Sequence, residues 1–255
     1  MFYCNVICIA YQETRIQVFD CNVICVAYQE TRIQVFDCNV ICIAYQETGI
    51  QVFDYCNVIC IAYQETRIQV FDCNVICIAY QETRIQVFDC NVICIAYQET
   101  GIQVFDCNVI CIAYQETRIQ VFDCNVICIA YQETGIQVFD CNVICIAYQE
   151  TRIQMFDYCN VICIAYQETR IQVFDYCNVI CIAYQETRIQ VFDYCNVICI
   201  AYQETRIQMF DYCNVICIAY QETGIQVFDY CNVICIAYQE TRIQVFDSHV
   251  FFSVA

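Results

Sequence analysis

The sequence lacks proline, tryptophan, leucine and lysine altogether, and it contains only 4 Gly and 1 His among its 255 residues. Leucine normally fills hydrophobic cores, lysine solvates surfaces and proline interrupts loops, so ordinary globular domains do not lack all three together. Without lysine, all 10 basic residues are arginines. This composition excludes a typical enzyme before any motif is sought.

Positive charge is also scarce, because 10 basic residues stand against 28 acidic ones and give a formal net charge of −18. A chain of this sign lacks the basic surface that binds nucleic-acid phosphate, and anionic membrane surfaces repel it. Hydrophobic residues nevertheless make up 60% of the sequence, too many for a disordered acidic tail. We therefore expect no nucleic-acid partner, and a chain that collapses or assembles.

One phrase, CNVICIAYQETRIQVFD, accounts for nearly the whole chain from Cys4 onward. It occurs in 14 copies with two Cys each, and 14 × 2 = 28 accounts for every cysteine. Six copies end in an extra tyrosine, so the period is 17 or 18 residues: Tyr55, Tyr158, Tyr176, Tyr194, Tyr212 and Tyr230. The predicted organisation is a leader (1–3), one tandem repeat array (4–247) and a non-repeat tail (248–255).

The copies differ at very few positions, each of which can change by one A-to-G or G-to-A step in a codon. The differing residues are Val26, Gly49, Gly101, Gly135, Gly224, Met155 and Met209. Arginine to glycine is not a conservative exchange, since it deletes a charge and a long side chain. The pattern favours drift in duplicated DNA over tuning of a protein surface.

The composition of the repeat favours β-strands, because six of its 17 residues are Val, Ile or Thr. The run 6–11 and the alternating run 15–19 are the two predicted strands. A single long helix is disfavoured, because each 17-residue copy would rotate the pattern by about 100° on the helix.

Two β architectures fit this pattern: a β-solenoid with one repeat per coil, or an antiparallel β-meander. The meander needs tight hairpins, and most copies offer no Gly or Asn-Gly at the first turn. The optional tyrosine also fits a solenoid corner, where an extra residue can bulge without shifting the register of the strands. The sequence therefore predicts an all-β solenoid of about 14 coils with two strands per coil, and the meander is the alternative.

Residue parity suggests which side chains face the interior. In the second strand the inward pair is Ile16 and Val18. The first strand offers a larger and a smaller inward set: Ile7, Ile9 and Tyr11, or Val6, Cys8 and Ala10. Because apolar burial is worth about 25 cal/mol per Å², we expect the isoleucines inside, although a narrow coil would favour the smaller set. Either choice leaves an apolar stripe exposed, which predicts self-association.

The cysteines are the most conspicuous candidates for chemistry. Cys4 and Cys8 are spaced C-x3-C, which places both on one face of a strand, whereas structural zinc usually takes C-x2-C pairs or Cys with His. Stacked cysteine columns could bind a soft metal or form disulfides between coils. The favoured interpretation is that they are small apolar residues in a ladder, and no metal or cofactor site is predicted.

The polar residues of the repeat would also form columns. Columns of Glu13 and Asp20 could chelate divalent cations, but the repeat has no Gly-rich calcium loop. Otherwise stacked carboxylates should raise one another's pKa and destabilise the stack, with the Arg15 column as a partial offset. Copies of Asn5 are expected to form an amide ladder at a corner.

Catalysis is not predicted, because 14 near-identical copies offer no unique constellation of nucleophile, base and orienting group. Ser248 and His249 are adjacent, but they lie in the tail and are not assigned as a catalytic pair. Two interpretations of the tail are open: it caps the last coil, or it is read-through to the next stop codon.

The sequence predicts no specific activity and no defined small-molecule ligand; it predicts a repetitive structural protein that self-associates. Translated tandem-repeat DNA without a selected function, and a metal or thiol binder built on the cysteine ladder, are the alternatives. No signal peptide or membrane span is expected, which makes the cytoplasm the default location.

Overall fold

The structure is a computed structural model that describes residues 4–37, 39–53, 57–228, 232–238, 240–246 and 249–254. The predicted leader and Ser248 of the tail lie outside these residues. The chain divides into two compact units, Met1–Cys128 (unit 1) and Ile129–Ala255 (unit 2). Within the described residues, β-strands are the only regular secondary structure.

Each repeat forms two strands, because its two β-branched runs are separated by short polar segments. The first strands of unit 1 are β1 (Cys4–Ala10), β3 (Cys21–Ala27), β5 (Val40–Ala44), β7 (Asn57–Ala62), β9 (Asn74–Ala79), β11 (Asn91–Ala96) and β13 (Asn108–Ala113). Its second strands are β2 (Thr14–Phe19), β4 (Thr31–Phe36), β6 (Thr48–Phe53), β8 (Thr66–Phe71), β10 (Thr83–Phe88), β12 (Thr100–Phe105) and β14 (Thr117–Phe122).

Unit 2 repeats the same alternation, and β15 (Asn125–Ala130) crosses the boundary between the units. Its other first strands are β17 (Asn142–Ala147), β19 (Asn160–Ala165), β21 (Asn178–Ala183), β23 (Asn196–Ala201), β25 (Asn214–Ala219) and β27 (Asn232–Ala237), followed by β29 (His249–Val254). Its second strands are β16 (Thr134–Phe139), β18 (Thr151–Phe156), β20 (Thr169–Val173), β22 (Thr187–Val191), β24 (Thr205–Met209), β26 (Thr223–Phe228) and β28 (Thr241–Phe246).

Strands pair in parallel with their counterparts in the next repeat. In unit 1, β9 pairs with β11 so that Asn74 lies opposite Asn91 and Ala79 opposite Ala96, while β8 pairs with β10 in the other sheet. In unit 2, β19 pairs with β21 in the same way. Each unit is therefore a parallel β-solenoid with one repeat per turn. The predicted fold is confirmed, and the antiparallel meander is wrong.

The extra tyrosine of the longer repeats lies in the corner between a second strand and the next first strand. Tyr158 precedes β19, yet Asn160 of that strand still pairs with Asn142 of β17. The corner absorbs the additional residue and the register is retained, as predicted. Tyr55 and Tyr230 lie outside the described residues.

The interior is formed by the smaller inward set of the first strand. In the turn 73–89, Val75, Cys77 and Ala79 are buried, whereas Ile76 is 42% exposed. Ile85 of the second strand is buried as expected. The orientation predicted for Ile16 and Val18 is therefore the one observed in their counterparts.

The expectation that Ile7 and Ile9 face inward is wrong, since their side chains are 74% and 61% exposed. A turn of only two strands encloses a narrow space, which the small Val-Cys-Ala face fills against the isoleucine and valine of the second strand. Turning the isoleucines inward would also carry the Tyr11 hydroxyl toward the core, where it would need a hydrogen-bond partner. The narrow interior and the hydrogen-bond requirement of the Tyr11 hydroxyl therefore outweigh the larger apolar area that buried isoleucines would remove from water.

The aspartate that ends each second strand has a distinctive backbone conformation. Eleven of these aspartates have a positive φ between 50° and 65°, among them Asp89, Asp106 and Asp193. Aspartate tolerates this left-handed region better than most residues do, because its short side chain can hydrogen-bond locally. The aspartate thus turns the chain at the corner, a role that its charge alone does not reveal.

The four glycines, by contrast, meet no conformational requirement. None of them has a positive φ. A Cβ added at Gly101, Gly135 or Gly224 would meet no atom within 4 Å. Nothing in the local backbone therefore calls for glycine where the other repeats have arginine.

Candidate functional site

In-register stacking turns each position of the repeat into a column of identical side chains about 4.8 Å apart. The candidate functional features are therefore columns on the faces and corners of each unit. Two columns are made of cysteine, three of amides, three of aromatic rings, and one broad stripe is made of isoleucine.

The inward cysteine column runs through the core. Cys25, Cys42 and Cys60 are reduced thiols with fully buried side chains. A hydrogen bond to the Cys42 thiol, followed by burial, raises the pKa of Cys25. The hydrogen bond to Cys217 and burial likewise raise the pKa of Cys235 in unit 2. These cysteines pack as small core side chains, which agrees with the ladder interpretation.

The second cysteine column lies at the corner that follows the second strand. The Cys90 thiol donates a hydrogen bond to the Phe88 carbonyl oxygen at 2.7 Å, and the Cys90 amide donates to the Cys107 sulfur at 3.0 Å. In unit 2, the Cys195 thiol donates to the Asp175 carbonyl oxygen at 2.9 Å. The corner cysteines therefore add hydrogen bonds to the backbone of the turn, and the Cys107 sulfur gives the Cys90 amide an acceptor.

The C-x3-C spacing places both cysteine columns on one face of the strand, as predicted, and that face is the inward one, contrary to the expected facing: Cys73 and Cys77 are both buried. Within the described residues, no group of three or more His, Cys, Asp or Glu side chains is arranged to hold a metal ion.

Amide ladders stiffen both sheets. The Asn91 amide donates to the Asn74 side-chain oxygen at 3.0 Å, so the predicted asparagine ladder is confirmed. A glutamine ladder runs along the second strands, with Gln86 donating to Gln103 at 2.8 Å. The glutamine ladder was not predicted, although the alternation around Gln17 places one glutamine on the outward face in every copy.

Aromatic rings stack in three columns. Tyr80 and Tyr97 stack with ring centroids 4.9 Å apart and planes 3° from parallel, and Phe88 stacks on Phe105 at 4.8 Å. In unit 2, the extra corner tyrosines form the third column, with Tyr176 and Tyr194 at 5.1 Å. Sequence reasoning missed these columns, whose only signal is that the aromatic positions recur in every copy.

The outward face of the first strands is apolar and uncharged. We call the outward isoleucine columns of these strands the Ile face; Ile76, Ile93 and Ile110 belong to it and are 42–43% exposed. Arginine lies instead on the second strands, and Glu and Asp lie at the two corners. The apolar stripe predicted from the sequence is therefore exposed, and charge is kept off it.

Two corner aspartates have a raised pKa, caused first by desolvation and then by the neighbouring aspartates. Partial desolvation, followed by the neighbouring charges of Asp140 and Asp175, raises the pKa of Asp157. Desolvation and hydrogen bonds with Asp175 and Asp211 raise the pKa of Asp193. At Asp157 and Asp193 the positive φ of the corner thus occurs together with a less stable carboxylate.

The tail adds a strand to unit 2. β29 pairs in parallel with β27, and His249 lies opposite Asn232 and Phe252 opposite Cys235. Ser248 lies outside the described residues, so the Ser248–His249 pair has no geometry to assess.

No protein-family model matches the chain, and no curated protein matches its sequence. In the part of the chain that is described, no helix is long and apolar enough to span a membrane.

Proposed function

We propose that the protein is a structural protein that self-associates, with copies packing through the Ile face. The observation that carries this proposal is the uncharged row of outward isoleucines that the first strands form in each unit. Soluble monomers rarely expose so large a contiguous apolar surface. Covering it removes apolar area from water, which favours association by about 25 cal/mol per Å².

A second copy is the occupant we favour, because the charges of the repeat are segregated from the Ile face. A chain with net charge −18 repels its own copies. Packing Ile face against Ile face keeps the Glu and Asp columns at the corners, outside the contact. Both faces also share the same strand spacing, so their isoleucine rows can interdigitate as in a steric zipper.

A thiol-based binder is less favoured. Cys77 and Cys94 are enclosed in the core, while Cys90 is engaged in closing a corner. A ligand would have to open the solenoid to reach any of these three sulfurs.

Sedimentation velocity of the reduced protein over a range of concentrations tests the proposal. We expect the wild type to assemble, and we expect the triple variant Ile76→Thr, Ile93→Thr, Ile110→Thr to need a concentration about tenfold higher, which corresponds to about 1.4 kcal/mol. Threonine keeps the β-propensity of the strand, so the variant removes the apolar contact rather than the fold.

The matched control replaces the glutamine ladder of the opposite sheet: Gln86→Thr, Gln103→Thr, Gln120→Thr. Its assembly should differ from that of the wild type by less than about twofold, since those residues lie off the Ile face. A wild type that stays monomeric at all concentrations, or equal effects of the two triple variants, would refute the proposal.

A further inference from the structure

A shallow groove follows the corner that joins first strands to second strands in unit 2. One wall is the column Tyr148, Tyr166, Tyr184 and Tyr202, and the other is the column of glutamines that follow these tyrosines, including Gln167 and Gln185. The groove runs along the corner beside the Ile face, with Tyr166 two residues beyond Ile164, and the proposed contact between Ile faces does not require it.

The stacking of the tyrosines determines which part of each ring the groove presents. From Tyr148 to Tyr202, successive centroids are 4.9 Å apart and the planes lie within 4° of parallel. The ring faces therefore cover one another, and the exposed part of each tyrosine, 39% of its surface, consists mainly of ring edges and hydroxyls. Three spacings of 4.9 Å give a row of edges about 15 Å long.

A row of ring edges selects a flat aromatic ligand. The row of ring edges offers continuous van der Waals contact to a flat face, and the hydroxyl oxygens in the same row are partly negative. A planar molecule laid lengthwise in the groove can place its face against several successive tyrosine edges. The glutamine wall supplies amide donors and acceptors for heteroatoms at the rim of such a molecule.

The negative charge around the groove favours a cationic ligand. Each glutamine of the wall is followed by an exposed glutamate, such as Glu168 and Glu186, and the whole chain carries a net charge of −18. At most one arginine per repeat offsets only part of this charge. The local concentration of cationic ligands is raised and that of anionic ligands is lowered.

We infer that this groove is a binding site for elongated, planar aromatic cations, which lie parallel to the column of tyrosines. The ligand face contacts the edges of Tyr166, Tyr184 and Tyr202, and the glutamine column borders its long side. The same Tyr-Gln sequence recurs in unit 1, where Tyr80 and Tyr97 stack at 4.9 Å.

Fluorescence titration with thioflavin T, a planar benzothiazole cation, tests the inference at low ionic strength. The wild type should bind the dye saturably and should bind a sulfonated, anionic dye of the same ring system at least about tenfold more weakly. The variant Tyr166→Thr, Tyr184→Thr, Tyr202→Thr should lose about half of the bound dye, because the column in unit 1 is unchanged.

The corner tyrosines provide a matched control. Tyr176, Tyr194 and Tyr212 also stack, at 5.1 and 4.9 Å, but they do not line the groove. Replacing these three by threonine should leave dye binding unchanged. Equal losses from the two triple variants, equal binding of the cationic and anionic dyes, or no saturable binding would overturn the inference.

A charge series avoids any effect of the tyrosine substitutions on folding. Gln185→Lys with Gln203→Lys should weaken dye binding in unit 2, and Gln185→Glu with Gln203→Glu should strengthen it, each by about threefold. Identical affinities in the two double variants would contradict the site.

The Ile76→Thr, Ile93→Thr, Ile110→Thr variant separates the groove from self-association. If it assembles less but binds the dye as the wild type does, the groove belongs to the single chain. If dye binding falls in step with assembly, the groove inference fails while the proposed function stands.

Discussion

Replacing Cys94 by aspartate should unfold the solenoid around it, whereas replacing the adjacent Ile93 by aspartate should leave the fold intact. Cys94 is fully buried between Cys77 and Cys111 of the inward column, while Ile93 is 42% exposed. An unpaired charge in the core costs more than about 3 kcal/mol. A charge at the exposed position costs less than about 1 kcal/mol.

Urea unfolding of the reduced proteins, followed by circular dichroism, measures both effects. Cys94→Ala is the control for lost volume and should cost about 1 kcal/mol. If Ile93→Asp unfolds the protein and Cys94→Asp does not, the first strand faces the other way and the larger apolar set is buried.

Replacing the corner aspartates by valine should lower the free energy of unfolding nearly as much as Cys94→Asp does. Asp175 and Asp193 have φ values of 64° and 65°, and a left-handed conformation costs an ordinary residue about 1–2 kcal/mol. The double variant Asp175→Val, Asp193→Val should therefore lose about 2–4 kcal/mol of stability. The double variant with asparagine should gain stability at pH 7, because asparagine tolerates the conformation and carries no charge.

The corner aspartates also determine how the stability of the wild type should depend on pH. The pKa values of Asp157 and Asp193 are raised, so the folded state holds these protons more tightly than the unfolded state does. Stability should rise as the pH falls from 7 toward the usual carboxyl range near 4, and this gain is lost as the pH rises through the raised pKa values. Replacing all four of Asp157, Asp175, Asp193 and Asp211 by asparagine should flatten the curve.

Urea midpoints at pH 7 and pH 5 check both expectations. Equal destabilisation by valine and asparagine would show that the backbone conformation is not what the aspartate supplies. A midpoint that falls on acidification would refute the repulsion between stacked carboxylates.

The features that depend on periodicity could be predicted from the sequence. The 17- or 18-residue period, the position of the optional tyrosine and the weak hairpin signals were enough to favour a parallel solenoid. The alternation around Ile16 and Val18 fixed the facing of the second strand, and Asn5 pointed to an amide ladder.

The facing of the first strand could not be obtained in the same way. Both parities are apolar, so buried area alone favoured Ile7 and Ile9. The outcome depends on how much volume two strands enclose, and on the fact that Tyr11 shares the isoleucine parity. The sequence shows the corner aspartate only as a charge, because its positive φ is set by the geometry of the turn.

Of the two candidate surfaces, one could be predicted from the sequence and the other could not. The exposed apolar stripe was predicted, because one apolar face must remain outside whichever way the strand turns. The groove was not predicted, because it is formed by tyrosine and glutamine side chains from different turns. Tyr148 and Gln167 share it although a full repeat separates them.

Within each unit, the first strands pair in parallel and in register with the first strand of the next repeat. Solid-state NMR of protein labelled with 13C at the alanine carbonyls, diluted in unlabelled protein, tests this within single chains. Alanines such as Ala79 and Ala96 are register partners, so the nearest carbonyl carbons should be about 4.8 Å apart. An antiparallel meander would insert a second strand between them, and a shortest distance near 10 Å would contradict the solenoid.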